Sequence, residues 1–253
     1  MQIEGTTALV TGGGSGLGEA TARLLASRGA HVGVFDRNGE AAARVAGDIG
    51  GVALTGDVTS EADASRAIAA LADQKGPVRI LVNCAGIGTA KRIVGREGAM
   101  PLADFERVIR VNLIGTFNML RLASAHMAEQ DPVADNARGV IVNTASVAAF
   151  DGQIGQAAYA ASKGGITSLA LPAARELARF GIRVNTIAPG IFLTPLLAEL
   201  PDEAQQSLAA SIPCPARLGD PAEFADAVRF VITNGYINGE VIRLDGGVRL
   251  QPK

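Results

Sequence analysis

The stretch Thr11-Gly12-Gly13-Gly14-Ser15-Gly16-Leu17-Gly18 decides the fold. It follows the apolar run Thr7 to Val10 and passes at once into a helical pattern, so it is a strand-turn-helix junction made largely of glycine. Such a turn carries no Cβ atoms in the way of a pyrophosphate approaching backbone N–H groups and the positive end of a helix. An ordinary tight turn uses the same residues, so the neighbouring elements have to decide between the two readings.

Outward from this turn, the second apolar run, His31 to Phe35, ends in Asp36, eighteen residues after Gly18. A carboxylate there accepts hydrogen bonds from an adenosine ribose. Its charge repels a 2′-phosphate, and Ser15 puts no basic group inside the turn, so NAD is expected in preference to NADP. Arg37 is the neighbouring cation that works against that preference. Asp57-Val58 and Asn83-Cys84-Ala85-Gly86 also fall at carboxyl ends of strands, where open α/β sheets bind ligands. Asp57 either meets the adenine or caps the following helix. The expected cofactor set is Gly12, Ser15, Gly16, Leu17, Gly18, Asp36, Asp57, Val58, Asn83, Ala85 and Gly86.

Further runs rich in β-branched residues span 51–54, 79–82, 140–144, 183–187 and 241–244, with helical patterns at 17–28, 39–47, 60–74, 103–130, 157–179, 203–211 and 221–233. Continuous apolar strings such as Ala8-Leu9-Val10 mark strands covered on both faces. The prediction is one α/β domain over 1–253, a doubly wound seven-stranded parallel sheet of Rossmann type with helices on both faces. Pro172 lies within a helical pattern and predicts a kink. Residues 88–101 and 191–215 break the rhythm, as surface insertions or lids do.

The chain has 253 residues, 48% of them hydrophobic, with 31 glycines, no tryptophan and a net charge of -2. One sizeable core is expected, and nothing in the charge favours nucleic acid or an anionic membrane. No run approaches the ~18 apolar residues of a membrane span. The short start before Thr7 has neither a signal-peptide core nor presequence arginines, which predicts a cytoplasmic protein. Cys84 and Cys214 are expected as reduced, buried thiols. His31 and His126 have no partners at metal-ligand spacing, and no metal is expected.

Tyr159 and Lys163 are four apart in a helical pattern and so share one helix face, with Ser146 at the end of the preceding strand. A ketone reductase needs an acid beside its substrate oxygen. A tyrosine of pKa about 10 becomes usable when an ammonium about 4 Å away contributes up to roughly 4 kcal/mol. A Tyr-x-x-x-Lys alone is usually an unremarkable surface pair; beside the glycine turn and Ser146 it is expected to be catalytic.

Thr-Gly-x-x-x-Gly-x-Gly, Asn-x-Ala-Gly, Asn112, Ser146 and Tyr159-x-x-x-Lys163, in this order, resemble the short-chain dehydrogenase/reductase family across essentially the whole chain. The resemblance implies that Tyr159 is the acid/base, that Ser146 hydrogen-bonds the substrate oxygen and that Lys163 also holds the nicotinamide ribose. It further implies that Asn112 anchors a relay water, and that Pro189, Gly190 and Thr194 hold the nicotinamide amide. Cys84 stands where members often have a second asparagine. The segments 143–156, 217–223 and 238–247, with the extra loop at 88–101, are similar to the type-2 (short-chain) 3-hydroxyacyl-CoA dehydrogenases, some of which oxidise hydroxysteroids. This implies interconversion of 3-hydroxyacyl-CoA and 3-ketoacyl-CoA, in a homotetramer whose interfaces lie on the helices at 103–130 and 157–179.

The residues allow an acyl substrate. Phe192, Leu193, Leu196, Leu197, Leu200 and Leu208 form an apolar stripe suited to a lid over 191–215, or to plain helix packing. Gln153 and Gln156 offer polar contacts near Tyr159. Lys91, Arg92 and Arg96 suit either CoA phosphates or solvent. Competing expectations are a 3-ketoacyl-carrier-protein reductase, another secondary alcohol dehydrogenase, and a non-catalytic NAD-binding subunit; the intact Ser146, Tyr159 and Lys163 set speaks against the last.

Overall fold

The computed structural model of the chain describes residues 1–252, with the side chain of Leu196 also outside the described set. The seven predicted strands all form: β1 (Thr7–Thr11), β2 (His31–Asp36), β3 (Val52–Thr55), β4 (Val78–Asn83), β7 (Gly139–Thr144), β8 (Ile182–Pro189) and β9 (Val241–Leu244). They make one parallel sheet in the order β3-β2-β1-β4-β7-β8-β9. The order reverses beside β1, between β1 and β4, and such a switch point opens a crevice at the carboxyl ends of the strands.

Alternation within the strands explains the two layers. Ala8 and Val10 of β1 face one core with Ala22 and Leu25 of α1 (Gly16–Ser27), Val45 of α2 (Gly39–Ile49) and Phe224 and Val228 of α9 (Pro221–Thr233). Leu9, between them, faces the other with Ile68 and Leu71 of α3 (Glu61–Lys75) and Met119 of α5 (Gly115–Ala128). Each fully buried Leu or Phe contributes roughly 1.5–3 kcal/mol of transfer free energy, so the sheet is held from both faces.

Helix starts follow local chemistry. Ser60 accepts from the Asp63 N–H at the start of α3, so Ser60, not Asp57, caps that helix. Asp220 and Glu223 form a capping box around Pro221. The helix α6 (Ala157–Leu177) carries Pro172 in its interior and continues past it to Leu177.

The expected single helix over 103–130 is instead α4 (Leu102–Ile109), a π turn (Arg110–Ile114) and α5. A π turn widens the backbone ring locally, a feature concentrated at functional sites, and here it carries Asn112. Neither the two-stranded hairpin β5 (Val94–Gly95) and β6 (Gly98–Ala99) within the insertion nor α7 (Pro195–Ala198) within residues 191–215 is foreseen by periodicity, because pieces of two to four residues carry none. α8 (Asp202–Ala210) lies where expected.

Candidate active site

The glycine turn closes over its own helix. A Cβ on Gly18 would sit 2.1 Å from the Gly12 carbonyl oxygen, and one on Gly14 would sit 3.0 Å from Asp36 Oδ2. The Gly14 N–H donates to that oxygen at 3.0 Å and the Asn38 N–H donates to Asp36 Oδ1 at 2.9 Å. Asp36 is thereby fixed at the end of β2 beside the turn, with acceptor capacity left on both oxygens. Ser15 is exposed, Gly16 and Leu17 are half-buried, and α1 presents its first turn there. Thr194 and Pro195 lie within 3.7 Å of where a Gly16 Cβ would be, so this part of the 191–215 segment lies against the turn.

Asp57 uses Oδ1 to accept from the Thr59 N–H at 2.8 Å, and Val58 is buried. Thr11, Asn83 and Asn143 form a buried polar row across β1, β4 and β7. The Thr11 hydroxyl donates to Asn83 Oδ1 at 3.4 Å, and Asn83 Nδ2 donates to Asn143 Oδ1 at 3.0 Å. The Ala85 N–H donates to Thr11 Oγ1 at 3.2 Å, which turns the chain at Ala85 and Gly86 across the mouth of the crevice. A Cβ on Gly86 would reach 3.2 Å from Asn112 Oδ1 and 3.5 Å from Lys163 Nζ. At Gly14, Gly18 and Gly86 alike, therefore, the chain packs so closely on its own neighbours that a Cβ would displace the turn or the side chains around it. These residues fit a dinucleotide: N–H groups and a helix end for its phosphates, Asp36 for a ribose, and an open floor at Gly86 beside Lys163.

Ser146, Tyr159 and Lys163 converge at the end of β7. Ser146 is buried and its Oγ accepts from the Ala148 N–H at 3.1 Å. The Lys163 ammonium is buried, donates to the Thr144 carbonyl at 2.8 Å and stands 5.7 Å from the centre of the Tyr159 ring. Asn112 is fully buried: its Nδ2 donates to Ile87 O at 2.9 Å and to Ser162 Oγ at 3.0 Å, while its Oδ1 accepts from the Ile87 N–H at 2.8 Å. Ser162 in turn donates to the Tyr159 carbonyl at 2.7 Å. The π turn thus connects the loop after β4 to the helix that bears the tyrosine.

The electrostatics differ from the expectation. Burial pushes the Tyr159 hydroxyl above its ordinary pKa, and the hydrogen bond with Ser146 opposes that shift. Burial also lowers Lys163 to about 8. The ammonium points at a carbonyl, not at the phenol oxygen, so the predicted lowering of Tyr159 is not present in this arrangement. Desolvation of the phenol outweighs attraction where the buried ammonium shares no direct hydrogen bond with it. A protonated phenol beside a serine hydroxyl is nevertheless a proton donor suited to a carbonyl oxygen.

Gln153 and Gln156, expected near Tyr159 as substrate contacts, are bonded to each other: the Gln153 N–H donates to Gln156 Oε1 at 3.0 Å. Phe192 is not on a lid surface. It is buried with its ring edge-on to Phe224 at 6.3 Å, because the Phe192–Gly219 bridge draws this segment under the α9 start. Leu193 and Leu200 are exposed and Leu197 is half-buried, while the Leu196 side chain lies outside the described residues. Lys91 pairs with Asp104, and Arg92 and Arg96 are exposed. Gly190 donates its N–H to Leu244 O at 2.9 Å, which holds the Pro189-Gly190 end of β8 against β9.

A model of the short chain dehydrogenase family matches residues 6–205. The chain belongs to this family. The 3-hydroxyacyl-CoA dehydrogenase type-2 of Bos taurus is 52% identical over 255 residues, covering 99% of this chain and 97% of that protein. The crystal structure of 3-hydroxyacyl-CoA dehydrogenase type-2 from Mycobacterium avium matches with a TM-score of 0.95 and 45% identity, covering 100% of both chains. The 3-ketoacyl-(acyl-carrier-protein) reductase of Brucella melitensis, solved with NADH, matches with a TM-score of 0.87 and 35% identity over 98% of this chain and 100% of its own.

Within this short-chain dehydrogenase, sequence reading missed Ser162 and Thr144, which bond Asn112, Tyr159 and Lys163, and Asn143, which joins Asn83 in the buried polar row. Their signal is the polar-in-apolar pattern of Asn143-Thr144 at a strand end, which only the cross-strand register makes meaningful. A cavity of about 620 Å³ lies between α8 and the start of α9, lined by Leu193, Gln205, Arg217 and Glu223 among others and by none of the catalytic set. Cys84 is half-buried and its thiol is pushed up to about 11 by burial, so it stays protonated; Cys214 is exposed, not buried as expected. The described residues contain no group of three potential metal ligands and no helix long and apolar enough to cross a membrane.

Proposed function

We propose that this short-chain dehydrogenase interconverts 3-hydroxyacyl-CoA and 3-ketoacyl-CoA thioesters with NAD(H). The observation that carries the chemistry is the meeting of buried Ser146 and Lys163 with half-buried Tyr159, beside the Gly86 floor and the Asp36-anchored turn. The similarity to the Bos taurus and Mycobacterium avium type-2 enzymes supports the thioester as substrate.

When bound, the nicotinamide cofactor supplies or accepts the hydride. Gly12, Ser15, Gly16, Leu17 and Gly18 bind its pyrophosphate, Asp36 its adenosine ribose, and Asp57 and Val58 its adenine. Asn83, Ala85 and Gly86 shape the floor, and Pro189, Gly190 and Thr194 hold the carboxamide end. In the reducing direction the Tyr159 hydroxyl gives its proton to the carbonyl oxygen while Ser146 donates a hydrogen bond to the same oxygen. In the oxidising direction Tyr159 takes the proton back. Lys163 holds the ribose and passes protons between Tyr159 and the water anchored by Asn112. The lid, residues 191–215, covers the acyl group with Leu193, Leu197 and Leu200, and Gln153 and Gln156 meet its polar end. The active form is a cytoplasmic homotetramer.

The deciding experiment follows NADH oxidation with acetoacetyl-CoA, in parallel with NADPH and with an acetoacetyl carrier protein. Fast NADH-linked turnover of the CoA thioester is expected. Turnover confined to the carrier-protein substrate would transfer the reading to the function named for the Brucella melitensis relative, and tight NADH binding with no turnover of either would refute both.

A further inference from the structure

The twelve residues between Ser146 and Tyr159 include a loop, 150–156, whose local bonds are short turns, with the Phe150 and Asp151 N–H groups donating to Val147 O and the Gln156 N–H to Gln153 O. It is also tied to distant segments. The Arg243 guanidinium, at the sheet edge, donates to Asp151 Oδ2 at 2.6 Å and lies 5.1 Å from the centre of the Phe150 ring. The same guanidinium donates to Asp245 Oδ2 at 2.8 Å and to Val248 O at 3.1 Å. The segment it thereby holds continues to Gln251 and Pro252, whose carbonyls accept from Gln153 Nε2 at 2.9 Å and the Ile154 N–H at 3.0 Å. On the opposite side the Lys91 N–H, from the insertion, donates to Gly155 O at 2.8 Å.

Arg243 and Asp151 are 22% and 19% exposed, far less than the other ion pairs that join distant segments here, such as Arg121 with Glu61 at 38% and 69%. A shielded pair with several hydrogen bonds constrains geometry in a way that a solvated pair does not. We propose that Arg243 and Asp151 form a latch that positions the 150–156 loop, and with it Gln153 and Gln156, over the substrate side of Tyr159. Arg243 is a positioning residue: it acts through the loop and the 249–252 segment and touches none of Ser146, Tyr159 or Lys163. The latch rests on the thioester reading of that site only for its effect on substrate binding; the ordering of the loop does not depend on it.

The test compares full-length Arg243→Gln, Asp151→Asn and the double variant with the parent protein. The expected result is a KM for acetoacetyl-CoA raised about tenfold, kcat within about twofold, and unchanged NADH affinity. The double variant is expected to match the worse single one, because the two residues act as a unit. Arg243→Lys, which keeps the charge, is expected to recover part of the loss. Hydrogen exchange at the Ile154 amide is expected to speed up in both single variants whatever the substrate proves to be. A fall in melting temperature with neither KM nor Ile154 exchange altered would overturn the latch. A parent protein that fails to turn over the thioester would instead overturn the functional reading, and the Ile154 amide would still decide the latch.

Discussion

The cofactor half and the substrate half of the crevice are built in different ways. In the first, the contacts around the glycine turn are nearer in sequence: Gly14 reaches Asp36 across 22 residues and Asn38 reaches it across two. In the second they are remote, with Arg243 meeting Asp151 across 92 residues and Gln153 meeting Gln251 across 98. A site made of one strand-turn-helix unit is written in a short motif. A site made where the 150–156 loop, the insertion and the last segment meet has no motif, because each piece has a shape only against the others. The practical consequence is that substitutions in the cofactor half should act on one ligand, whereas those in the substrate half should spread.

The sharpest test of this contrast lies at Tyr159, where the halves meet. Replacing Tyr159 with Phe keeps the ring and removes only the proton donor. Turnover should fall by about 10²–10⁴, while NADH affinity, read by quenching or enhancement of nicotinamide fluorescence, stays within about twofold. Activity within tenfold of the parent would mean that another group handles the proton and that Tyr159 only fills space.

Asp36 tests whether the cofactor half is as local as it looks. Asp36→Ala removes a carboxylate whose charged hydrogen bonds contribute roughly 1.5–3 kcal/mol, so NADH should bind about ten- to a hundredfold more weakly. NADPH, which gains nothing from that carboxylate, should bind no worse than before. Equal losses for both cofactors would show that Asp36 serves only to tie Gly14 and Asn38, and the preference for NAD would have to be sought elsewhere.

The same contrast explains what could be read in advance. All seven strands and the glycine turn are visible in the chain because parallel strands buried on both faces leave continuous apolar strings, and a dinucleotide turn needs its glycines in fixed places. Asn112 stands out only through the family pattern; nothing in its neighbourhood announces a π turn, which is a backbone irregularity without a compositional signature. Phe192 could be assigned to neither lid nor core from the chain alone, because the two look alike until the Gly219 bridge turns the ring toward Phe224. The Tyr159 environment shows a further limit: spacing brings Lys163 to the same helix face, but depth decides whether burial or attraction dominates.

Lys163 gives the smallest effect on binding or stability and the one most specific to the boundary between the halves. Its pKa of about 8 lies below the ordinary 10.5 of a lysine because burial penalises the ammonium. The folded protein therefore holds fewer protons than the unfolded chain between these two values. Stability at this site rises with pH across that window, and the penalty is fully present below about pH 8. Lys163→Met removes a penalty of at most roughly 3 kcal/mol, and losing the hydrogen bond to the Thr144 carbonyl returns about half or more of it. The cofactor-free variant should thus be more stable at pH 7 by about 1 kcal/mol, measured by urea unfolding, while its turnover collapses. The advantage should shrink as pH approaches 10.5. A variant that is instead less stable at pH 7, with no dependence on pH between 7 and 10, would place Lys163 among the residues that hold the fold together and not among those buried at a cost for chemistry.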